Sequence, residues 1–283
     1  MQIKTEEISL AILKQKKIRL FVKRIDKVHP FISGNKWYKL KYNLIAAKEK
    51  GFKTILTFGG AYSNHIAATA FAAQEKGFKS IGIIRGEEHL PLNSTLSFVV
   101  ESGMELHYVS RTDYREKTTP DFLEKLKAQF GSFYFIPEGG TNELAIQGTA
   151  EILEANDSQD YICCAVGTGG TISGIVNSSV AKQKVLGFSA IKGSEQLEKD
   201  ISIWTNKENW KLLNNYHFGG YTKISDELIE FITSFNKEHN IPLDAIYSGK
   251  MLFGILDLVK QDYFPKGSSI LAIHTGGLQG NKG

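Results

Sequence analysis

The chain has 283 residues, 42% of them hydrophobic, enough for one large domain or two ordinary ones and too much for extended disorder. Its 34 basic and 30 acidic residues leave a net charge of +4 spread without a basic block, so nucleic acid is not an expected partner. No apolar run approaches ~20 residues and the opening MQIKTEEISL lacks a signal-peptide core, so no membrane span and a cytoplasmic location are expected.

Short β-rich runs alternate with helix-length segments along the chain. RLFVKR at 19–24 reads as the first strand. SGNKWYKL follows from Ser33, with Trp37, Leu40, Leu44 and Ala47 at helical spacing as far as Gly51, and Ser33 or Asn35 as the expected cap. The first turn of that helix carries Lys36 and Lys39, although the positive end of a helix favours acids. Further strands are expected at 54–58, 80–85, 106–109, 133–136, 161–166, 185–190 and 269–274. Helices are expected at Asn64 to Glu75, Pro120 to Phe130, Leu144 to Ala155 and Glu227 to Glu238. This alternation predicts an α/β fold with mostly parallel sheets. Tight crossovers near residues 50 and 145 are the only candidate boundaries, which makes one domain discontinuous: 1–49 plus 146–283, with 50–145 as the smaller unit. Cys163 and Cys164 are adjacent within an apolar strand, so core thiols are expected rather than a disulfide or a metal site.

Glycine clusters follow three of the strand runs: GGAYSNH after 54–58, VGTGGTISG after 161–166 and HTGGLQG after the last. Ligands of parallel α/β sheets bind where strands end and helices begin, so the three loops are expected to share a pocket. Gly167, Thr168, Gly169, Gly170 and Thr171 have the composition of a phosphate cup, with close backbone approach, successive N–H groups and two hydroxyls, but a tight turn explains them equally well in isolation. Nucleotide fingerprints are broken: Ile172 stands where G-x-G-x-x-G needs glycine, and no G-K-[ST] is present. On residue type alone Ser63 reads as a cap, His65 as a packing residue, PEGGTN at 137–142 as a turn and cap, and Tyr221 and Tyr247 as packing aromatics.

Taken together, these segments resemble the pyridoxal-phosphate enzymes that include 1-aminocyclopropane-1-carboxylate deaminase and D-cysteine desulfhydrase, of fold type II and related to the tryptophan synthase β subunit. FVKRID with SGNKWYKL resembles that family's cofactor-lysine segment, GGAYSNH its substrate-carboxylate segment, VGTGGTISG its phosphate loop and AIYSGKMLFG at 245–254 its late tyrosine segment. The resemblance implies two three-layer α/β domains with mostly parallel twisted sheets, pyridoxal 5'-phosphate in the cleft between them, and a homodimer. It implies that Lys36 bonds the cofactor while Lys39 is structural. It further implies that Ser63 meets the substrate carboxylate or assists proton transfer, that Asn64 meets the ring hydroxyl, that 167–171 hold the phosphate, and that Tyr221 and Tyr247 act in the site.

Two departures bear on the branch. At two positions that the resemblance places on the cofactor, Ser248 stands where the deaminase has glutamate after the tyrosine, and Thr275 where it has leucine before the last Gly-Gly, and both hydroxyls resemble the desulfhydrase branch. A carboxylate keeps the pyridine nitrogen protonated and the ring a strong electron sink, whereas a hydroxyl does so poorly. Opening a cyclopropane ring without an α-hydrogen wants the stronger sink, and losing a β-thiolate after α-proton removal needs less. The expectation is therefore α,β-elimination from D-cysteine to pyruvate, sulfide and ammonia, with D-serine or β-chloro-D-alanine as related substrates. A cyclopropane-ring deaminase and a non-catalytic cofactor-binding regulator are the alternatives.

Overall fold

Apolar runs buried on both faces form the centres of two sheets. The protein is described here by a computed structural model covering residues 3–278. In chain order the strands are β1 (Thr5–Ile8), β2 (Arg19–Lys23), β3 (Thr54–Gly59), β4 (Lys79–Arg85), β5 (Met104–Val109), β6 (Tyr134–Ile136), β7 (Tyr161–Val166), β8 (Lys184–Ser189), β9 (Trp210–Leu213) and β10 (Ser269–Ile273). The α-helices are α1 (Ala11–Lys16), α2 (Asn35–Glu49), α3 (Asn64–Lys76), α4 (Ser94–Glu101), α5 (Pro120–Phe130), α6 (Glu143–Thr149), α7 (Gly170–Ser178), α8 (Glu195–Trp204), α9 (Asp226–His239) and α10 (Ser248–Lys260). One sheet has the order β1-β2-β10-β7-β8-β9 and the other β5-β4-β3-β6. Every pairing is parallel except β1 with β2.

Period-two alternation explains why both sheets carry helices on both faces. Tyr161, Cys163 and Ala165 of β7 enter one core with Met251, Leu252 and Ile255 of α10, while Ile162, Cys164 and Val166 enter the opposite core with Ile172 and Ile175 of α7. The two cysteines are free and buried, one on each side of the strand. In the smaller sheet Leu56, Phe58, Ile81 and Ile83 pack with Leu126 of α5, and on the other face Ile55 and Ile136 pack with Ala68 and Ala72 of α3. Each fully buried Leu or Ile contributes roughly 1.5–3 kcal/mol.

Two elements bear on the site. α2 serves both cores, with Leu40, Leu44 and Ala47 packed against the smaller sheet and Tyr38 against the larger. The helix expected over Leu144 to Ala155 stops at Thr149 and tightens into a 3-10 turn at Ala150–Ile152, because Thr149 Oγ1 donates to Gly170 O (2.9 Å) and ties the helix to the glycine loop. Among the described residues no helix is long and apolar enough to cross a membrane.

Candidate active site

The loops that follow β3, β7 and β10 meet the amino end of α2 around one cavity of about 610 Å³. Lys36, Ser63, Asn64, Gly167, Thr168, Gly169, Thr171, Tyr221, Tyr247 and Thr275 all line it. Gly170 and Ser248 do not.

The start of α2 is not capped as expected. Gly34 is the cap, at φ +63°, and it contributes no side chain. A Cβ there would lie 1.8 Å from Thr275 O, so only glycine lets the loop after β10 come down onto the helix. Thr275 O in return accepts from Asn35 N (3.2 Å), while Ser33 Oγ donates to Asp26 O (3.0 Å). The Asn35 side chain is thereby free to face the site. Its Nδ2 donates to Thr171 Oγ1 (2.8 Å), and its Oδ1 accepts from Lys36 Nζ (3.1 Å). Burial lowers the Lys36 amine to about 8, with Asp244 partly opposing that shift.

One turn on, Lys39 is buried and reaches the glycine loop. Its Nζ donates to Gly139 O (2.9 Å) and Thr141 Oγ1 (3.1 Å) and lies 3.5 Å from Thr168 Oγ1. Burial, then the neighbouring Lys36, hold this amine well below the ordinary lysine range. The segments 137–142 and 167–171 close tightly on each other, since a Cβ on Gly139 would meet Thr168 Cγ2 at 2.8 Å and one on Gly170 would meet Thr141 Oγ1 at 2.8 Å. The resulting donor set is two threonine hydroxyls, the Asn35 amide, the Lys39 amine and the N–H groups opening α7, which suits a phosphate ester.

On the opposite wall Ser63 caps α3, its Oγ accepting from Ile66 N (3.3 Å), and Asn64 begins the helix. His65 is buried beside them. Thr57 Oγ1 spends its one hydrogen on Ile136 O (2.8 Å), so His65 Nε2–H donates to Thr57 (2.8 Å). Burial, with Lys36 and Lys39 nearby, holds His65 well below its usual value, so it is a neutral imidazole, and it lines the cavity.

Tyr221 and Tyr247 meet edge to face, with ring centroids 5.8 Å apart at 68°, and Tyr247 Oη donates to Tyr221 Oη at 3.3 Å. Burial above all, then Tyr221, push the Tyr247 phenol well above its ordinary value, so it stays protonated. Behind this pair, the Asp244 carboxylate closes the turn that leads into α10. Its Oδ1 accepts from Ile246 N (2.9 Å) and Tyr247 N (2.7 Å), and its Oδ2 from Ser248 N (2.9 Å) and Ser248 Oγ (2.5 Å). The expected placement of Ser248 on the cofactor is therefore not what its geometry shows. The side chain is fully buried behind the wall, its hydrogen is committed to Asp244, and it accepts from Asp244 N (2.9 Å).

The sequence model of the pyridoxal-phosphate dependent enzymes matches residues 3–276. The chain belongs to that family. Within it, the chain is similar to the bifunctional D-cysteine desulfhydrase/1-aminocyclopropane-1-carboxylate deaminase, mitochondrial, of Arabidopsis thaliana, with 31% identity over 92% of this chain and 73% of that one. It is 27% identical to a 1-aminocyclopropane-1-carboxylate deaminase of a Bradyrhizobium species, over 92% and 87% of the two chains. A crystal structure of an ACC deaminase homologue superposes with a TM-score of 0.86 at 25% identity, covering 99% of this chain and 91% of that one. The fold is thus the α/β type II fold, and the cofactor of this pyridoxal-phosphate enzyme is pyridoxal phosphate. The site fits it, because the glycine cradle with Lys39 matches a phosphate and Lys36 places a second amine on the wall, bonded to Asn35.

Three residues of this pyridoxal-phosphate enzyme escaped the sequence reading. Asn35 looked like a cap, Lys39 like a structural charge, and Asp244 had no motif around it. Lys39 and Asn35 are joined to the glycine loop by partners more than a hundred residues away. Only Asp244, four residues before Ser248, lay within reach of a local pattern, that of a carboxylate opening a helix.

Proposed function

We propose that the protein catalyses α,β-elimination on a small D-amino acid, converting D-cysteine to pyruvate, sulfide and ammonia. The reading includes a cytoplasmic homodimer whose larger unit combines residues 1–49 and 146–283 around a smaller unit at 50–145. The observation that carries the chemistry is an amine lowered to about 8 sharing one cavity with a phenol held protonated. Lys36 Nζ can take a proton near neutral pH, and Tyr247 Oη can give one. The Thr275 hydroxyl residue, which lines the cavity where the deaminase has leucine, supports the desulfhydrase branch.

Asn35, Thr168, Thr171 and Lys39 would hold the phosphate of the cofactor, and Lys36 would hold its reactive carbon. Bound there, pyridoxal phosphate supplies the sink for the electron pair left on the substrate's Cα. The residues do the rest. Ser63 and the amino end of α3 orient the substrate carboxylate, and Lys36 Nζ removes the α-proton. Tyr247, set by Tyr221, protonates the departing thiolate. The enamine so released hydrolyses in water to pyruvate and ammonia.

A ring-opening deaminase is the second reading. Asp244 favours it, because a carboxylate lies one hydroxyl behind the position that glutamate would occupy. The test is a panel of D- and L-cysteine, D- and L-serine, β-chloro-D-alanine and 1-aminocyclopropane-1-carboxylate, assayed for 2-oxo acid and sulfide. Pyruvate and sulfide from D-cysteine, absent in Lys36→Ala, are expected. 2-Oxobutyrate from the cyclopropane amino acid without sulfide from D-cysteine would install the second reading. Turnover of L-serine alone would put the chain in another branch, and a cofactor absorbance band with no turnover would make it a binding protein.

A further inference from the structure

Lys250 is a buried cation that the proposed reaction does not use. It sits in the first turn of α10, three residues after Tyr247, with 2% exposure and no place on the cavity wall. Its Nζ donates to His217 O (2.9 Å) and Gly220 O (2.8 Å) and reaches Tyr221 O at 3.4 Å. An ammonium has three hydrogens, and these three carbonyls account for all of them. No carboxylate among the described residues is in ion-pair contact with it. Burial lowers this amine to about 8, and Asp244 opposes that shift through space.

All three carbonyls belong to the connection between β9 and α9, whose side chains also meet α10 through Phe218 edge-on to Phe253 (centroids 5.1 Å) and Tyr216 Oη donating to Asp257 Oδ2 (2.9 Å), but whose backbone meets α10 through Lys250. Phe218 (φ +53°), Gly219 (+92°) and Gly220 (+139°) are three consecutive residues at positive φ. Its own hydrogen bonds are short-range: Gly219 N to His217 Nδ1 (2.9 Å), Gly220 N to His217 O (3.0 Å) and Lys223 N to Gly220 O (3.2 Å). Tyr221 follows at 42% exposure, and among the described residues its side chain has a single hydrogen-bond contact, with Tyr247 Oη. Where the Tyr221 phenol stands is therefore set by where the loop's backbone stands relative to α10. Tyr247 caps that same helix.

We propose that Lys250 is a positioning residue that pins the 217–221 loop to the first turn of α10 through three backbone carbonyls and so sets Tyr221 against Tyr247. A hydrocarbon would fill the same space without the cost of burying a charge, and only an ammonium can take three convergent carbonyls at once. The proposal rests on the two tyrosines acting in the reaction proposed above. The hold on the loop does not.

The test is Lys250→Met in the cofactor-loaded enzyme, read two ways. Amide hydrogen exchange in 217–223 is expected to speed up by at least about tenfold while α9 and β7 are unchanged. D-Cysteine turnover is expected to lose kcat with little change in KM, and Lys250→Met/Tyr221→Phe to lose no more than Tyr221→Phe alone. Unchanged exchange in the loop, or losses that multiply in the double variant, would overturn the proposal. If Lys250→Met does not fold, Lys250→Gln keeps two donors and is read in the same way, with partial return of kcat expected. A wild type inactive on every substrate would overturn the proposed reaction, and the exchange measurement would still decide the loop.

Discussion

Lys36 answers why a helix begins with an amine. The positive end of α2 and burial both disfavour an ammonium there, and a neutral amine is the form that bonds an aldehyde or accepts a proton. In cofactor-free protein, acylation of Lys36 followed by mass spectrometry should rise about tenfold per pH unit up to about 8 and then level, whereas an ordinary lysine keeps rising beyond ~10. A rise that continues past pH 10 would remove Lys36 as the tuned amine. Ser248 leads to a different expectation. Its oxygen lies 2.5 Å from Asp244 Oδ2, so Ser248→Glu buries a second carboxylate against the first. The substitution should lower the denaturation midpoint and one of the two acids should stay protonated, rather than cleanly converting one branch into the other. Ser248→Glu with wild-type stability and gained deaminase activity would contradict this. Lys36 was legible because its misplaced charge and its neighbours Gly34 and Asn35 are local. Lys39 was not, because Gly139 and Thr168 are brought to it by two different sheets.

α3 carries a cap and a site residue in the same side chain, and the two roles separate experimentally. Ser63 caps α3 through Ile66 N and lines the cavity, whereas Asn93 caps α4 through Leu96 N (2.9 Å) and does not line it. Ser63→Ala and Asn93→Ala should each cost about 1 kcal/mol of stability in urea titrations, and only Ser63→Ala should also lose kcat/KM. Equal turnover in the two variants would reduce Ser63 to a cap. Elements of this kind were largely readable in the chain. β7 was found to the residue and α5 likewise, because a fully apolar six-residue run and a Thr119-Pro120 opening are strong local signals. β1 and β9 were missed, and both are short edge strands, where one side is unpaired and TEEI or WKLL need not alternate cleanly. The cap of α2 was missed because Gly34 acts through a long-range contact with Thr275, which periodicity cannot show. The fold was thus legible where signals are local, and the site only where a family pattern linked distant loops.

At the scale of the whole molecule, the buried bases and phenols fix how stability changes with pH. Burial lowers Lys36 and Lys250 to about 8 and Lys39 well below its ordinary value. Between about 8 and ~10.4, unfolded chains bind lysine protons that the folded protein does not, so the lysine contribution to stability rises with pH across that window. Burial also raises Tyr38 and Tyr216 to about 12 and Tyr247 well above its ordinary value. Burial likewise holds the Cys163 thiol well above its ordinary value and raises Cys164 to about 12, so the unfolded chain sheds thiol protons above ~8.5 and phenol protons above ~10 that the fold retains, which first offsets the lysine rise and then reverses it. On the acid side, His65 is held neutral, so unfolding takes up a proton below ~6.5 and stability drops as the pH falls. Cofactor-free protein should therefore show its highest urea midpoint at about pH 9, above neutrality. Lys36→Met should flatten part of the rise by removing one titrating amine, and loading the cofactor onto Lys36 should flatten it in the same way. A midpoint that is level from pH 7.5 to about 9, or a rise untouched by Lys36→Met, would mean that these amines are hydrated and charged in the fold. In that case the electrostatic basis for Lys36 as a base near neutral pH would fall with them.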